Sequence, residues 1–156
     1  MSDAALATAT NVAAQFEGFN ATPYPDVGGT WTIGYGSIWL NGVGPGRVTA
    51  DTPPITEPVA RTWLTAELKA CAMAVVRLVK VPLTDNQTAA LDDFVYNLGS
   101  GAFASSTLLR KLNAGDYAGA AAQIDLWDHV GGQVLAGLLR RRQAETDLFN
   151  AAQTAA

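Results

Sequence analysis

Apolar residues recur at helical spacing at the start of the chain. Val12, Phe16 and Phe19 follow one another at i, i+4 and i+7, which predicts a helix over residues 3 to 17 that buries those side chains. Ser2 or Asp3 can cap it, Gly18 can stop it, and Pro23 and Pro25 exclude its continuation. The pattern then changes. Gly28-Gly29 is a turn signal, and TWTIGYGSIWL reads as strand interrupted by glycine. With a further turn at NGVGPG (41–46), residues of about 20–50 predict a small antiparallel β-lobe of two or three strands.

Helical periodicity returns at Thr56, a cap with Pro58 in the first turn, and runs to about Val79. Val81-Pro82 breaks it. Thr84 or Asp85 opens a second helix, LTDNQTAALDDFVYNLG, which Gly99 ends. Ser105 or Ser106 caps TLLRKLN, Asp116 precedes YAGAAAQIDLW, Gly131-Gly132 breaks the chain again, and a last helix covers about 134–149. The tail AAQTAA is expected to fray. The fold class that follows is α+β, mainly α: an N-terminal helix, a small β-lobe, and a helical lobe over about 56–150, with a cleft between the lobes.

Composition adds a single domain over residues 1–156, since 156 residues with 49% hydrophobic and 15% charged suit one core rather than two. Cys71 is the one cysteine, so no internal disulfide forms, and no metal-ligating cluster or cofactor signature is visible. The net charge of −4 argues against a nucleic-acid partner. Arg110, Lys111, Arg140, Arg141 and Arg142 are half of the ten basic residues and could form a local positive patch. The start of the chain shows neither a positively charged leader nor a run of strong hydrophobes, so neither a signal peptide nor a membrane anchor is expected.

Two carboxylates lie in unlike settings. Glu17 sits in the last turn of the first helix beside Phe16 and Phe19, where the negative helix end and apolar neighbours disfavour its charged form. Asp26 lies in PYPDVGGT, a polar turn with backbone donors at hand, which favours the carboxylate. Such a pair can divide acid and base work. Composition and spacing alone leave both as ordinary: a surface Glu and a turn Asp.

The segment FEGFNATPYPDVGGTWTIGYGS resembles the active-site segment of the phage T4-type lysozymes (glycoside hydrolase family 24). In that family an Asp follows a Glu by nine residues and a Thr follows by six more, the spacing of Glu17, Asp26 and Thr32 here. FVYNLGSGAFASSTLLRKLNAGDY resembles the family's central helices and GLLRRRQAETDLF its last helix, so the likeness covers roughly residues 11–150 in order. It implies a lysozyme-like fold and hydrolysis of the β-1,4 bond between N-acetylmuramic acid and N-acetylglucosamine in peptidoglycan.

By that resemblance Glu17 is the general acid, Asp26 activates water or stabilises the oxocarbenium-like transition state, and Thr32 helps hold the water. Inversion of the anomeric centre is implied, with carboxyl groups about 6.5–9.5 Å apart. Tyr35, Tyr96 and Asn97 are candidate sugar contacts; Tyr96 could equally be core and Asn97 a helix C-cap. One of Arg140 to Arg142 is expected to reach inward and pair with Glu17, with Arg141 taken as the cleft residue. Some anchored relatives carry Cys at the Asp position; this chain has Asp26 and resembles the soluble type. The implied setting is a monomer held in the host cytoplasm until a separate holin-like pore admits it to the periplasm and wall.

A cysteine–histidine peptidase or amidase would need Cys71 and His129 together. Cys71 reads as a buried inert thiol within ELKACAMAVV, and His129 follows Trp127 at a helix end without a visible carboxylate orienter. A zinc amidase needs more His or Cys ligands than are present. GVGPGR lacks the G-K-[ST] of a phosphate loop and reads as a turn. The remaining alternatives are a catalytically silent wall-binding module and a chitin-directed glycosidase built on the same carboxylates.

Overall fold

The computed structural model describes residues 2–40 and 46–151. The turn expected at 41–46 and the phosphate-loop-like run at 42–47 therefore fall largely outside the described residues, as does most of the Ala-rich tail. The element order is α1 (Asp3–Glu17), β1 (Asn20–Pro25), β2 (Trp31–Gly34), α2 (Glu57–Leu78), α3 (Asp85–Leu98), α4 (Ser100–Ser105), α5 (Thr107–Asn113), α6 (Tyr117–Ile124), β3 (His129–Val130), β4 (Gln133–Val134) and α7 (Ala136–Asn150). The mainly α, α+β architecture with a small antiparallel β-lobe is the one expected.

Caps set most boundaries. Ser2 accepts from the Ala5 amide at the start of α1. Thr84 and Gln87 form a reciprocal capping box on α3. Ser106 and Asp116 cap α5 and α6. The structure differs at four places. A short helix, α4, follows Gly99 directly. Helix α6 stops at Ile124, because Asp125 ends it and Thr146 of α7 bonds the Asp125 carboxylate at 2.7 Å. Gly131 and Gly132, both at positive φ, are the turn of a hairpin joining β3 to β4 rather than a plain break. Helix α7 accordingly starts at Ala136, after Val134 has been spent on β4.

The buried face of α1 is not Val12, Phe16 and Phe19 but Ala5, Ala9 and Ala13 with Thr10. Alanines one turn apart let α1 approach α2 and α3 closely; the Thr10 and Thr65 hydroxyls meet at 3.2 Å. Bulkier aromatic residues do not fit such a seam, so Phe16 is half-buried and Phe19 is 38% exposed. Phe16 lies beside Glu17, and Phe19 packs against Tyr35 at 5.8 Å.

Helix α3 is the axis of the molecule and packs on α1, α2 and α7. On one side Leu91, Phe94, Phe103, Leu108, Leu112 and Ile124 form the core of the helical lobe. On another, Ala89 joins Ala9, Ala13, Leu64 and Leu68. The β-lobe has a smaller core of Ile33, Val48 and Trp63. It abuts α2 at Gly34, where an added Cβ would lie 3.0 Å from the Ala60 Cβ.

Cys71 is half-buried against the core of the helical lobe, less enclosed than the sequence suggests. His129 lies on an exposed strand rather than a helix end, and Asp128 does pair with its Nδ1. Cys71 lies on α2 and His129 on the β3–β4 hairpin. Among the described residues no group of His, Cys, Asp and Glu could hold a metal ion, and no helix is long and apolar enough to cross a membrane.

Candidate active site

Glu17 is the last residue of α1, and its side chain is 26% exposed. Its Oε1 accepts from Arg141 Nη1 at 2.6 Å. Its Oε2 faces the β-lobe: a Cβ built on Gly36 would stand 3.8 Å from it. Gly36 has φ of +86°, a conformation glycine tolerates and other residues do not favour. The carboxyl group therefore spans the junction, with one oxygen on the helical lobe and one toward the strands. The Arg141 guanidinium that binds it is brought in by the fold, from 124 positions away in the chain.

Arg141 donates from all three of its nitrogens, Nε, Nη1 and Nη2. Asp93 of α3, fully buried, accepts from Nε at 2.9 Å and from Nη2 at 2.8 Å. Burial alone would draw the guanidinium's proton affinity down; the hydrogen bonds and charge of Asp93, then those of Glu17, outweigh it and raise it. Phe16 and Tyr96 flank the cation at 5.7 and 6.0 Å.

The cluster continues inward. Arg142 and Glu145, both completely buried, pair at 2.7 Å, and Arg142 also donates to Asn97 at 2.8 Å. Burial, and then a hydrogen bond and charge from Asp93, raise the Glu145 carboxyl well above the usual carboxylate range against the pull of Arg142 and Arg141. Two of the three consecutive arginines are thus buried in ion pairs and only Arg140 is exposed, so the triplet makes no positive patch.

The carboxylate on the other lobe is placed by the β1–β2 hairpin. Asp26 follows Pro25, which pairs with Trp31. Its Oδ1 accepts from the Gly28 and Thr30 amides at 2.9 and 2.8 Å, so the turn fixes the side chain and supplies the backbone donors the sequence implies. Thr32 pairs with Tyr24 in the ladder, is 4% exposed, and donates its hydroxyl to the Tyr24 carbonyl at 3.2 Å. Its oxygen keeps an acceptor site.

A cleft of about 650 Å³ opens between the end of α1 and the start of α7, lined among others by Phe16, Glu17, Asn97, Leu135, Leu138 and Arg141. Asp26, Thr32, Tyr35 and Tyr96 are not in its lining. Tyr35 is a core residue, 4% exposed, stacked near Phe19 at 5.8 Å with its hydroxyl on Glu57 at 2.8 Å. Tyr96 is half-buried and turns its hydroxyl toward the Tyr35 carbonyl and Glu67, at 3.3 and 3.4 Å. Asn97 is not the helix cap; Gly99 is. Arg141 lies on the floor of the cleft and is 4% exposed.

Sequence reasoning misses Asp93. A signal was there: Asp93 stands four residues after Ala89 and four before Asn97, an acid on the stripe of α3 that has to be buried. Such an acid calls for a buried cation.

The phage lysozyme family matches residues 14–145. An endolysin of Acyrthosiphon pisum secondary endosymbiont phage 1 is 38% identical over 142 residues, covering 88% of this chain and 92% of its own. Among solved structures, an endolysin from Escherichia coli O157:H7 phage FAHEc1 superposes with a TM-score of 0.82 at 33% identity, over 92% of this chain and 90% of the other. The muramidase domain of SpmX from Asticaccaulis excentricus superposes at 0.76 with 36% identity, over 92% and 95%. With Glu17, Asp26 and Thr32 set on the two lobes as described, the chain belongs to the phage lysozyme family.

Proposed function

We propose that this chain is an endolysin: a muramidase that hydrolyses the β-1,4 bond between N-acetylmuramic acid and N-acetylglucosamine in peptidoglycan and so lyses the host cell. The observation that carries the reading is Glu17, whose Oε1 is bound by Arg141 while Oε2 faces the β-lobe. Oε2 is the oxygen free to carry a proton to the glycosidic oxygen. As that C–O bond breaks, positive charge grows on the sugar, and Asp26 on the opposite lobe stabilises it or takes a proton from the attacking water. Thr32 can accept from that water. Attack from the face opposite the leaving group inverts the anomeric centre, which proton NMR of the first-formed product reads directly.

Asn97 and Leu138 on the cleft wall are the sugar contacts the geometry favours; Tyr35 and Tyr96 act behind it, as packing. The enzyme works as a monomer without nucleic acid or cofactor. It waits in the host cytoplasm and reaches the periplasm through a separate holin-like pore.

Turbidity clearing of chloroform-treated Gram-negative cells tests the reading, with the parent protein against Glu17→Gln. Clearing by the parent and a loss of about 10³-fold or more in the variant are expected. A folded parent that binds wall material without clearing makes the chain a silent binding module. Equal clearing by both removes Glu17 from the chemistry. Faster turnover of chitin oligomers than of peptidoglycan redirects the substrate.

A further inference from the structure

The fork between Asp93 and Arg141 uses two guanidinium nitrogens, Nε and Nη2, and leaves Nη1 for Glu17. A buried arginine with a single carboxylate partner could lay its fork on that partner. Here the fork is taken by Asp93, which is fully buried on α3, and Glu17 receives one bond from the outer nitrogen. Asp93 also brings a negative charge to the far side of the cation.

We propose that Asp93 is a positioning residue for the reaction: it holds the Arg141 guanidinium by its inner edge, so that Glu17 meets one N–H and a partly neutralised cation. The inference rests on Glu17 being the acid. An acid must be protonated at working pH, and an arginine given wholly to Glu17 would strip its proton. Asp93 limits that pull while Arg141 still fixes the direction of the carboxyl.

The groups facing Glu17 come from three sides. Helix α7 offers Arg141 directly, with Arg140 on the cleft wall and Glu145 and Arg142 behind. Helix α3 offers Asp93 and Tyr96, the latter linked to Glu67 of α2. The β-lobe offers Gly36, with Asp26 across the junction. Of these, Asp93 is the carboxylate hydrogen-bonded to the cation that touches Glu17, while Glu145 stands farther off, 3.7 Å from Arg141 Nε.

The test is Asp93→Asn, alone and on an Arg141→Gln background. The Glu17 carboxyl is titrated by carbon-13 NMR, assigned with Glu17→Gln, and the pH profile of kcat/KM is measured alongside. Asp93→Asn should move the Glu17 titration and the basic limb of the profile toward acid together, by about half to one pH unit. On the Arg141→Gln background neither should move further, which a merely structural role would not reproduce. An unmoved titration in a folded Asp93→Asn protein, or a shift that survives without Arg141, overturns the proposal. If the titration moves and the limb does not, Asp93 has no part in the reaction. If Glu17→Gln is as active as its parent, the acid assignment itself has failed, while the NMR titration still decides whether Asp93 governs the charge on Glu17.

Discussion

Arg142 and Glu145 sit one turn apart on α7, both completely buried, with 2.7 Å between guanidinium and carboxylate. The pair is incompletely satisfied: Arg142 Nε and Nη1 and Glu145 Oε2 have no hydrogen-bond partner. Removing one partner leaves a buried charge or polar group alone. Arg142→Met should therefore cost about 3–5 kcal/mol in urea unfolding, and the double change Arg142→Met with Glu145→Leu should cost clearly less than the two single changes summed. An additive double mutant would mean that the two side chains do not stabilise each other.

Asp26→Asn separates chemistry from scaffolding. The Oδ1 that accepts from Gly28 and Thr30 survives in asparagine, so the turn should hold and the melting temperature should barely move. The negative charge is gone, and wall clearing should fall by about 10²–10⁴-fold. A variant that melts far below its parent would assign Asp26 to the turn instead.

Thr32→Val keeps the strand's shape and burial but deletes the hydroxyl that now bonds the Tyr24 carbonyl. The stability cost should be about 1 kcal/mol. If Thr32 also holds the water, kcat should drop by more than tenfold with KM nearly constant. A rate that follows stability alone would leave Thr32 a strand residue.

Asp92 on α3 is completely buried, and neither carboxylate oxygen has a partner. Burial lifts its proton affinity to about 7. The folded state thus holds a proton that the unfolded chain releases near the ordinary carboxylate value. Stability from this group is full below about pH 4, falls as pH rises toward 7, and is flat beyond, with a ceiling of about 4 kcal/mol. Asp92→Asn should flatten that slope and stabilise the protein at pH 8 by about 1–3 kcal/mol, measured by denaturant unfolding across pH. An unchanged pH dependence would show that another group sets it.

The glycines after β2 differ in what they can bear. Gly34 has φ of +68° and a neighbour, the Ala60 Cβ, 3.0 Å from where its own Cβ would be. Gly36 has φ of +86° but only ordinary contact with Glu17. Gly34→Ala should lose more stability than Gly36→Ala, whose cost should stay near the about 1–2 kcal/mol of the left-handed conformation. Equal losses in thermal unfolding would refute the crowding at Gly34.

Much of the architecture was written locally. Ser2, Thr84, Ser106 and Asp116 cap helices through bonds that span three residues, and Gly99 ends α3 within the same few residues. The Asp26 turn is equally local. Spacing therefore carried these features, and the matched spacing of Glu17, Asp26 and Thr32 carried the likeness to lysozymes. The face of α1 was misjudged because periodicity favours the largest apolar residues, whereas a close helix seam selects the smallest.

What the sequence by itself determined was most of the helices, the β1–β2 hairpin, and a glutamate at the end of α1. Each depends on contacts within a few residues. Only the tertiary structure decided that Arg141 points at Glu17, that Asp93 holds it from behind, and that Tyr35 is core. Those relations join residues 124 and 48 positions apart for the first two and 22 for the Tyr35–Glu57 bond, and they exist only where packed helices exclude water. Burial turns weak surface charges into strong, directed pairs, and burial is a property of the whole fold.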